Sequence, residues 1–290
     1  MVNSINAAHE NQLFLPGIAL SHTITATSDL GALSNCEALL IVTPAQHMRS
    51  VLGAANVGNR PIILCAKGIE AGTQLLMSEV AQQACPDAAI AVLSGPTFAG
   101  EVAHRLPTAI TLACPDAALA KTLAARLAQP HFRPYLSTDV IGAEIGGAVK
   151  NVLAIACGVV EGRGLGQNAQ AALIARGFAE MTRFGLARGA LAETLGGLSG
   201  LGDLVLTCSS TQSRNFTLGK GLGEGRAAAE LLGGRTVAEG AFTAPVLQQA
   251  AQAAQVEMPV VDAVCALLSG ERDVSAVVGT LLARPLRQEG

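Results

Sequence analysis

The chain has 290 residues, half of them apolar and 14% charged, with a formal net charge of −3, one Tyr and no Trp. That length can bury a substantial core as one large or two medium domains. The near-neutral charge, the lack of a basic tract and the scarcity of aromatic residues argue against nucleic-acid binding.

In the first half, short apolar runs alternate with helical patterns. Ala38-Leu-Leu-Ile-Val42 reads as a buried strand, with Thr43 as an N-cap and Pro44 as the first residue of a helix. Pro61–Ala66 is a second strand ending at Lys67-Gly68, followed by a helix from about Thr73 to Ala84. Ala89–Leu93 is a third strand, ending at Ser94-Gly-Pro-Thr97, and Ala109–Ala113 a fourth. Such alternation predicts a mostly parallel, doubly wound sheet that binds ligands beyond the carboxyl ends of its strands. After about Ile141 the pattern is helical, with helices expected over 143–161, 168–188, 191–197, 211–222, 226–232, 243–255, 259–268 and 273–282. The expected division is 1–140 as an incomplete dinucleotide-binding domain and 141–290 as an all-helical substrate and catalytic domain.

The longest uninterrupted apolar run, Val152–Val160, is too short for a bilayer, so no membrane insertion is expected. The N-terminus lacks a signal-peptide pattern. Seven scattered cysteines without a Cys-x-x-Cys suit a reduced, cytoplasmic setting, and the five histidines show no ligand spacing, so no metal is expected.

Lys150 is the only basic residue between Arg133 and Arg163. On a helix it shares its face with Gly146, Gly147, Ala154, Cys157 and Gly158. Small residues there admit a close backbone or ligand and leave an ammonium in an apolar place, where its pKa falls and proton transfer becomes easy. The alternative is a stem that snorkels to solvent. Lys67 stands at a strand end, within reach of a crevice ligand or simply in solvent. Gly95-Pro96-Thr97-Phe98-Ala99 is either a ligand-facing turn or a plain strand-to-helix turn. Asp203, in an apolar stretch, needs a partner or caps a helix. Ser213-Arg214-Asn215 near a helix start offers a phosphate clamp, or Arg214 makes a surface salt bridge.

Six segments in this order resemble bacterial NAD(P)-dependent glycerol-3-phosphate dehydrogenase: Cys65–Glu70, Leu93–Ala99, Gly146–Asn151, Gly200–Cys208, Gln212–Asn215 and Val237–Gly240. The likeness runs from about Asn6 to Arg284. It implies a Rossmann-type α/β sheet followed by an all-α domain, with NAD or NADP as cofactor. Lys150 would be the general acid/base. The substrate positions would be Lys67, Gly95, Thr97, Lys150, Asp203, Ser213, Arg214 and Asn215, and the cofactor positions Lys67, Ala99, Arg214, Val237 and Glu239. The implied reaction interconverts sn-glycerol 3-phosphate and dihydroxyacetone phosphate for glycerophospholipid synthesis, by a homodimer.

The sequence departs from the family at its front, where no strand, Gly-rich turn and helix precede Asn6–Asn11. The Rossmann-type sheet is therefore expected to be N-terminally incomplete, with an apolar strand edge left open. A misassigned start or a fragmentary gene is the expected cause. The region that sets NAD against NADP preference falls in that missing part. Two alternatives stand beside the dehydrogenase: a catalytically impaired truncated homologue that binds a sugar phosphate, and a β-hydroxyacid dehydrogenase relative.

Overall fold

A computed structural model describes residues 1–233 and 238–282. The chain opens with helix α1 (Val2–Ala8) and a small antiparallel hairpin, β1 (Glu10–Asn11) and β2 (Leu15–Ala19). None of the residues of α1 is buried.

The main sheet begins with β3 (Leu39–Ile41), followed by α2 (Met48–Ala54), β4 (Ile62–Leu64), α3 (Met77–Ala84) and β5 (Ile90–Ser94). It continues with α4 (Ala99–Ala103), β6 (Thr108–Ala113), α5 (Ala117–Leu127) and β7 (Phe132–Ser137). The five strands lie in the order β3-β4-β5-β6-β7, parallel at every pairing except β5 with β6. Alternation along the strands divides the core between two faces. Leu39, Ile41, Ile62, Leu64 and Val92 pack with α2 and α3, while Ile63, Ala91, Leu93, Ile110 and Leu112 pack with α5. Helices cover both faces, so the sheet is doubly wound.

Several boundaries differ from the sequence reading. Thr43 does not cap a helix. Its hydroxyl is buried without a partner, and a 3-10 turn over Ala45–His47 precedes α2. The helix expected from Thr73 starts at Met77. Before it, Thr73 Oγ1 donates to Glu70 Oε2 at 2.6 Å and Gln74 adopts φ 59°, so the chain is looped. β7 carries no clear strand signal because Pro134 reads as a breaker; at an outer strand a proline is tolerated. The other outer strand is β3, where Leu40 is 49% exposed.

From residue 140 the described chain is helical: α6 (Val140–Gly162), α7 (Gln167–Ala187), α8 (Ala192–Leu195), a π-turn over Leu198–Gly202, α9 (Asp203–Cys208) and α10 (Arg214–Gly223). Then come α11 (Ala228–Leu232), α12 (Glu239–Ala253), α13 (Pro259–Ser269) and α14 (Val274–Leu282). The π-turn and α9 fall between the expected helices 191–197 and 211–222, where no helix was expected.

α6 is the central element, capped by Asp139, whose Oδ1 accepts from Gly142 N at 2.8 Å. Its 23 residues are long and apolar enough to cross a membrane, which a search for uninterrupted apolar runs misses. Here 83% of its most apolar window is buried inside the protein, against α7, α9, α10, α12 and α13. The glycines of α6 permit that packing. A Cβ on Gly146 would lie 2.3 Å from Ser199 O, and one on Gly158 would lie 2.1 Å from Phe216 O. The face that Lys150 shares thus meets other backbones directly.

Candidate active site

Three strand or helix ends converge beyond the carboxyl edge of the sheet. Lys67 follows β4, Gly95 follows β5, and Asp203 opens α9 against α6. Lys150 Nζ donates to Asp203 Oδ1 at 2.8 Å and to Thr207 Oγ1 at 2.8 Å. Lys67 Nζ donates to Asp203 Oδ2 at 2.6 Å and to Gly95 O at 3.3 Å. One carboxylate therefore bridges two ammonium groups that lie far apart in sequence.

The side chains of Asp203, Lys150 and Lys67 are 1%, 9% and 18% exposed, so Lys67 is the one nearest solvent. Burial, followed by the Lys67 charge, pushes the Lys150 ammonium down to about 8, against the opposing pull of Asp203. Burial acts to raise the Asp203 carboxyl, but the two ammonium groups outweigh it and hold the group below its ordinary value. The cluster of two cations and one anion keeps a net positive charge, which suits an anionic ligand.

Of the remaining predicted residues, Thr97 is linked to this bridge through Gly95, Asn215 through Asn151 beside Lys150, and Glu239 through the charges of Lys67 and Lys150. Thr97 is half-buried, with its hydroxyl donating to Gly95 O at 3.3 Å, and Ala99 is the exposed first residue of α4. Ser213 caps α10, its Oγ accepting from Phe216 N at 3.2 Å. Arg214 is exposed at the start of α10 and makes no ion pair among the described residues. Asn215 is buried and ties two helices: its Nδ2 donates to Asn151 Oδ1 at 3.0 Å, and its Oδ1 accepts from Gly240 N at 2.9 Å. Burial raises the half-buried Glu239 carboxyl, with the charges of Lys67, Arg214 and Lys150 pulling it back. Val237 lies outside the described residues.

Two neighbours were absent from the sequence-based set of site residues. Thr207 follows Asp203 by one helical turn, so i,i+4 spacing was the signal that could have found it. Asn151 adjoins Lys150, but nothing in the sequence announces its bond to Asn215.

A doubly wound sheet followed by an all-helical half, with a buried lysine held by an acid where they meet, is an architecture suited to a dinucleotide-dependent dehydrogenase. Residues 1–120 match the family model described as NAD-dependent glycerol-3-phosphate dehydrogenase N-terminus, and residues 139–279 match the corresponding C-terminus. The chain belongs to the NAD(P)-dependent glycerol-3-phosphate dehydrogenase family. It is 60% identical over 291 residues to glycerol-3-phosphate dehydrogenase [NAD(P)+] 1 of Sphingopyxis alaskensis, covering 100% of this chain and 88% of that one. It is 62% identical over 290 residues to the Erythrobacter litoralis enzyme of the same name, again covering 100% and 88%. The crystal structure of glycerol-3-phosphate dehydrogenase from Coxiella burnetii superposes with a TM-score of 0.93 at 38% identity, covering 98% of this chain and 88% of that one.

Proposed function

We propose that the chain interconverts dihydroxyacetone phosphate and sn-glycerol 3-phosphate by exchanging a hydride with NAD(H) or NADP(H), feeding glycerophospholipid synthesis. The observation that carries this reading is the bridge Lys150–Asp203–Lys67 at the strand ends. In this reading residues 1–140 carry the cofactor, and residues 141–290 carry the substrate and the proton-transfer lysine.

When bound, a nicotinamide would supply or accept the hydride. Lys67, Arg214 and Glu239 fit its binding, with Ala99 and Val237 at the remaining positions that the family likeness implies. Arg214 has its guanidinium free of ion pairs among the described residues, and Glu239 lies within the field of all three cations.

A lysine ammonium has three N–H donors. Lys150 spends two on Asp203 and Thr207, and Lys67 spends two on Asp203 and Gly95. Each keeps one donor for the oxygen of the reacting carbon. As carbonyl becomes alcohol, that oxygen gains negative charge, and Lys150 delivers a proton to it. In the reverse direction neutral Lys150 takes the hydroxyl proton. Asp203 and Thr207 fix where Lys150 points, and the Lys67 charge stabilises the developing alkoxide. The substrate phosphate lies against Arg214 and the N-terminus of α10, beside Ser213 and Asn215, with Gly95 and Thr97 flanking the carbon chain.

Steady-state oxidation of NADH and of NADPH is the test. Turnover with dihydroxyacetone phosphate and none with 3-keto acids is expected. The reverse preference would return the reading to a β-hydroxyacid dehydrogenase, and no turnover with either would return it to an impaired sugar-phosphate binder. A homodimer and a cytoplasmic setting belong to the same reading. The first is checked by light scattering, and the second is supported by free cysteines scattered along the chain.

A further inference from the structure

Ser94 closes β5 and is 2% exposed, yet its Oγ has no hydrogen-bond partner among the described residues. Its side chain faces the same side of the sheet as Val92, toward α6. The position that a Cβ would take on Gly147 lies 3.0 Å from Ser94 Oγ, and 3.2 and 3.4 Å from Lys67 Cγ and Cδ. The idle hydroxyl, the Lys67 stem and the α6 backbone one turn before Lys150 therefore meet at one place. Three other buried hydroxyls around the site are engaged: Thr207 with Lys150 and Asp203, Thr243 with Glu239 O, and Ser213 with Phe216 N. Thr43 Oγ1 and Ser199 Oγ are unpartnered like Ser94 Oγ, but neither has such a contact with the Lys67 stem among those around Gly147.

A buried hydroxyl without a partner is costly, and alanine would occupy the place without that cost. The Lys67 ammonium is a donor able to use the hydroxyl, because its flexible four-carbon stem passes the same spot. Its present bonds are unequal. The one to Asp203 is 2.6 Å, while the one to Gly95 O is 3.3 Å, and that carbonyl also accepts from Thr97 Oγ1. A substrate oxygen or phosphate that draws Lys67 toward it releases the weaker bond first. We propose that Ser94 is a positioning residue for Lys67, its hydroxyl accepting the Lys67 ammonium when the site is occupied. This rests on the reading of Lys67 as a ligand contact.

The test uses Ser94→Ala in the full chain, with three readouts. The expected kinetic result is a fall of about tenfold or more in kcat/KM for dihydroxyacetone phosphate, the loss of a hydrogen bond to a charged group, expressed mainly in KM. The melting temperature of the free protein is expected to stay level or rise. In a crystal of the wild-type complex with NAD and glycerol 3-phosphate, Lys67 Nζ is expected within hydrogen-bond distance of Ser94 Oγ. Unchanged kinetics, a loss of activity that accompanies a lower melting temperature, or a complex in which Ser94 Oγ stays unpartnered would each overturn the proposal. A wild-type protein that does not turn over dihydroxyacetone phosphate would sink the functional reading itself. Wild-type turnover with an indifferent Ser94→Ala sinks the Ser94 role alone.

Discussion

In the proposed reaction one group, Lys150, serves both directions of hydride transfer. Burial and the Lys67 charge bring its ammonium to about 8, where both protonation states are populated near neutral pH. Reduction of the ketone needs the protonated form. Its kcat/KM is therefore expected to hold level below about pH 8 and to fall as pH rises through that value. Oxidation of the alcohol needs the neutral form and should show the mirror-image rise. Initial rates in both directions across this range check the assignment, and a ketone-reduction profile that stays flat well above pH 8 would remove Lys150 as the acid. The candidacy of this lysine was legible in the sequence because an isolated cation among Gly and Ala has few structural reasons to be there. Its dependence on Lys67 was not legible. The two residues are 83 positions apart, and only the packing of α9 against α6 brings a shared carboxylate between them.

At the scale of elements, two buried glutamates anchor helices from outside. Glu144 of α6 accepts from Ser78 N at 2.7 Å and from Ser78 Oγ at 2.5 Å, tying the first turn of α3 to the helix that carries Lys150. Glu180 of α7 accepts from Val260 N at 2.9 Å and Val261 N at 3.4 Å at the start of α13. Burial pushes both carboxyls up to about 7, despite these donors. The folded chain thus holds protons that the unfolded chain releases from its ordinary carboxylate range upward. The stability they contribute is present in full below that range and is lost as pH rises through about 7, by roughly 2–3 kcal/mol for each group. The melting temperature should fall between pH 5 and pH 8, and Glu144→Gln and Glu180→Gln should each flatten the slope, about a carboxyl near 7. Unaltered slopes in both variants would contradict this. Most helices and four of the five sheet strands were readable from periodicity and capping residues. Elements α1, β1, β2, α4 and α5 were not read from the sequence. Three further departures have local causes: Pro134 disguised β7, the Glu70–Thr73 contact held a loop open before α3, and α9 is too short to show a period.

At the scale of the whole molecule, α6 joins the two halves. Ala143 belongs to the core cluster on one face of the sheet, and from Ile145 onward the helix belongs to the helical core. That continuity puts Lys150 beside groups from both halves, with Lys67 and Gly95 from the strand ends and Asp203 and Thr207 from α9. Five of the six motifs that carry the family likeness supply residues to this bridge or to the bonds beside it: Lys67, Gly95, Lys150 with Asn151, Asp203 with Thr207, and Asn215. Sequence order alone could rank them as a set. It could not show that Asn215 spends its carboxamide on α6 and α12 or that Ser94 is left idle. Those facts depend on how the helices meet. Whether Lys150 moves the proton in dihydroxyacetone phosphate reduction is tested most directly by kcat/KM for that reaction in Lys150→Ala beside the wild type. A loss of about 10²–10⁴-fold in a protein that still folds is expected on removal of a general acid. A folded Lys150→Ala protein that retains wild-type kcat/KM would contradict that role.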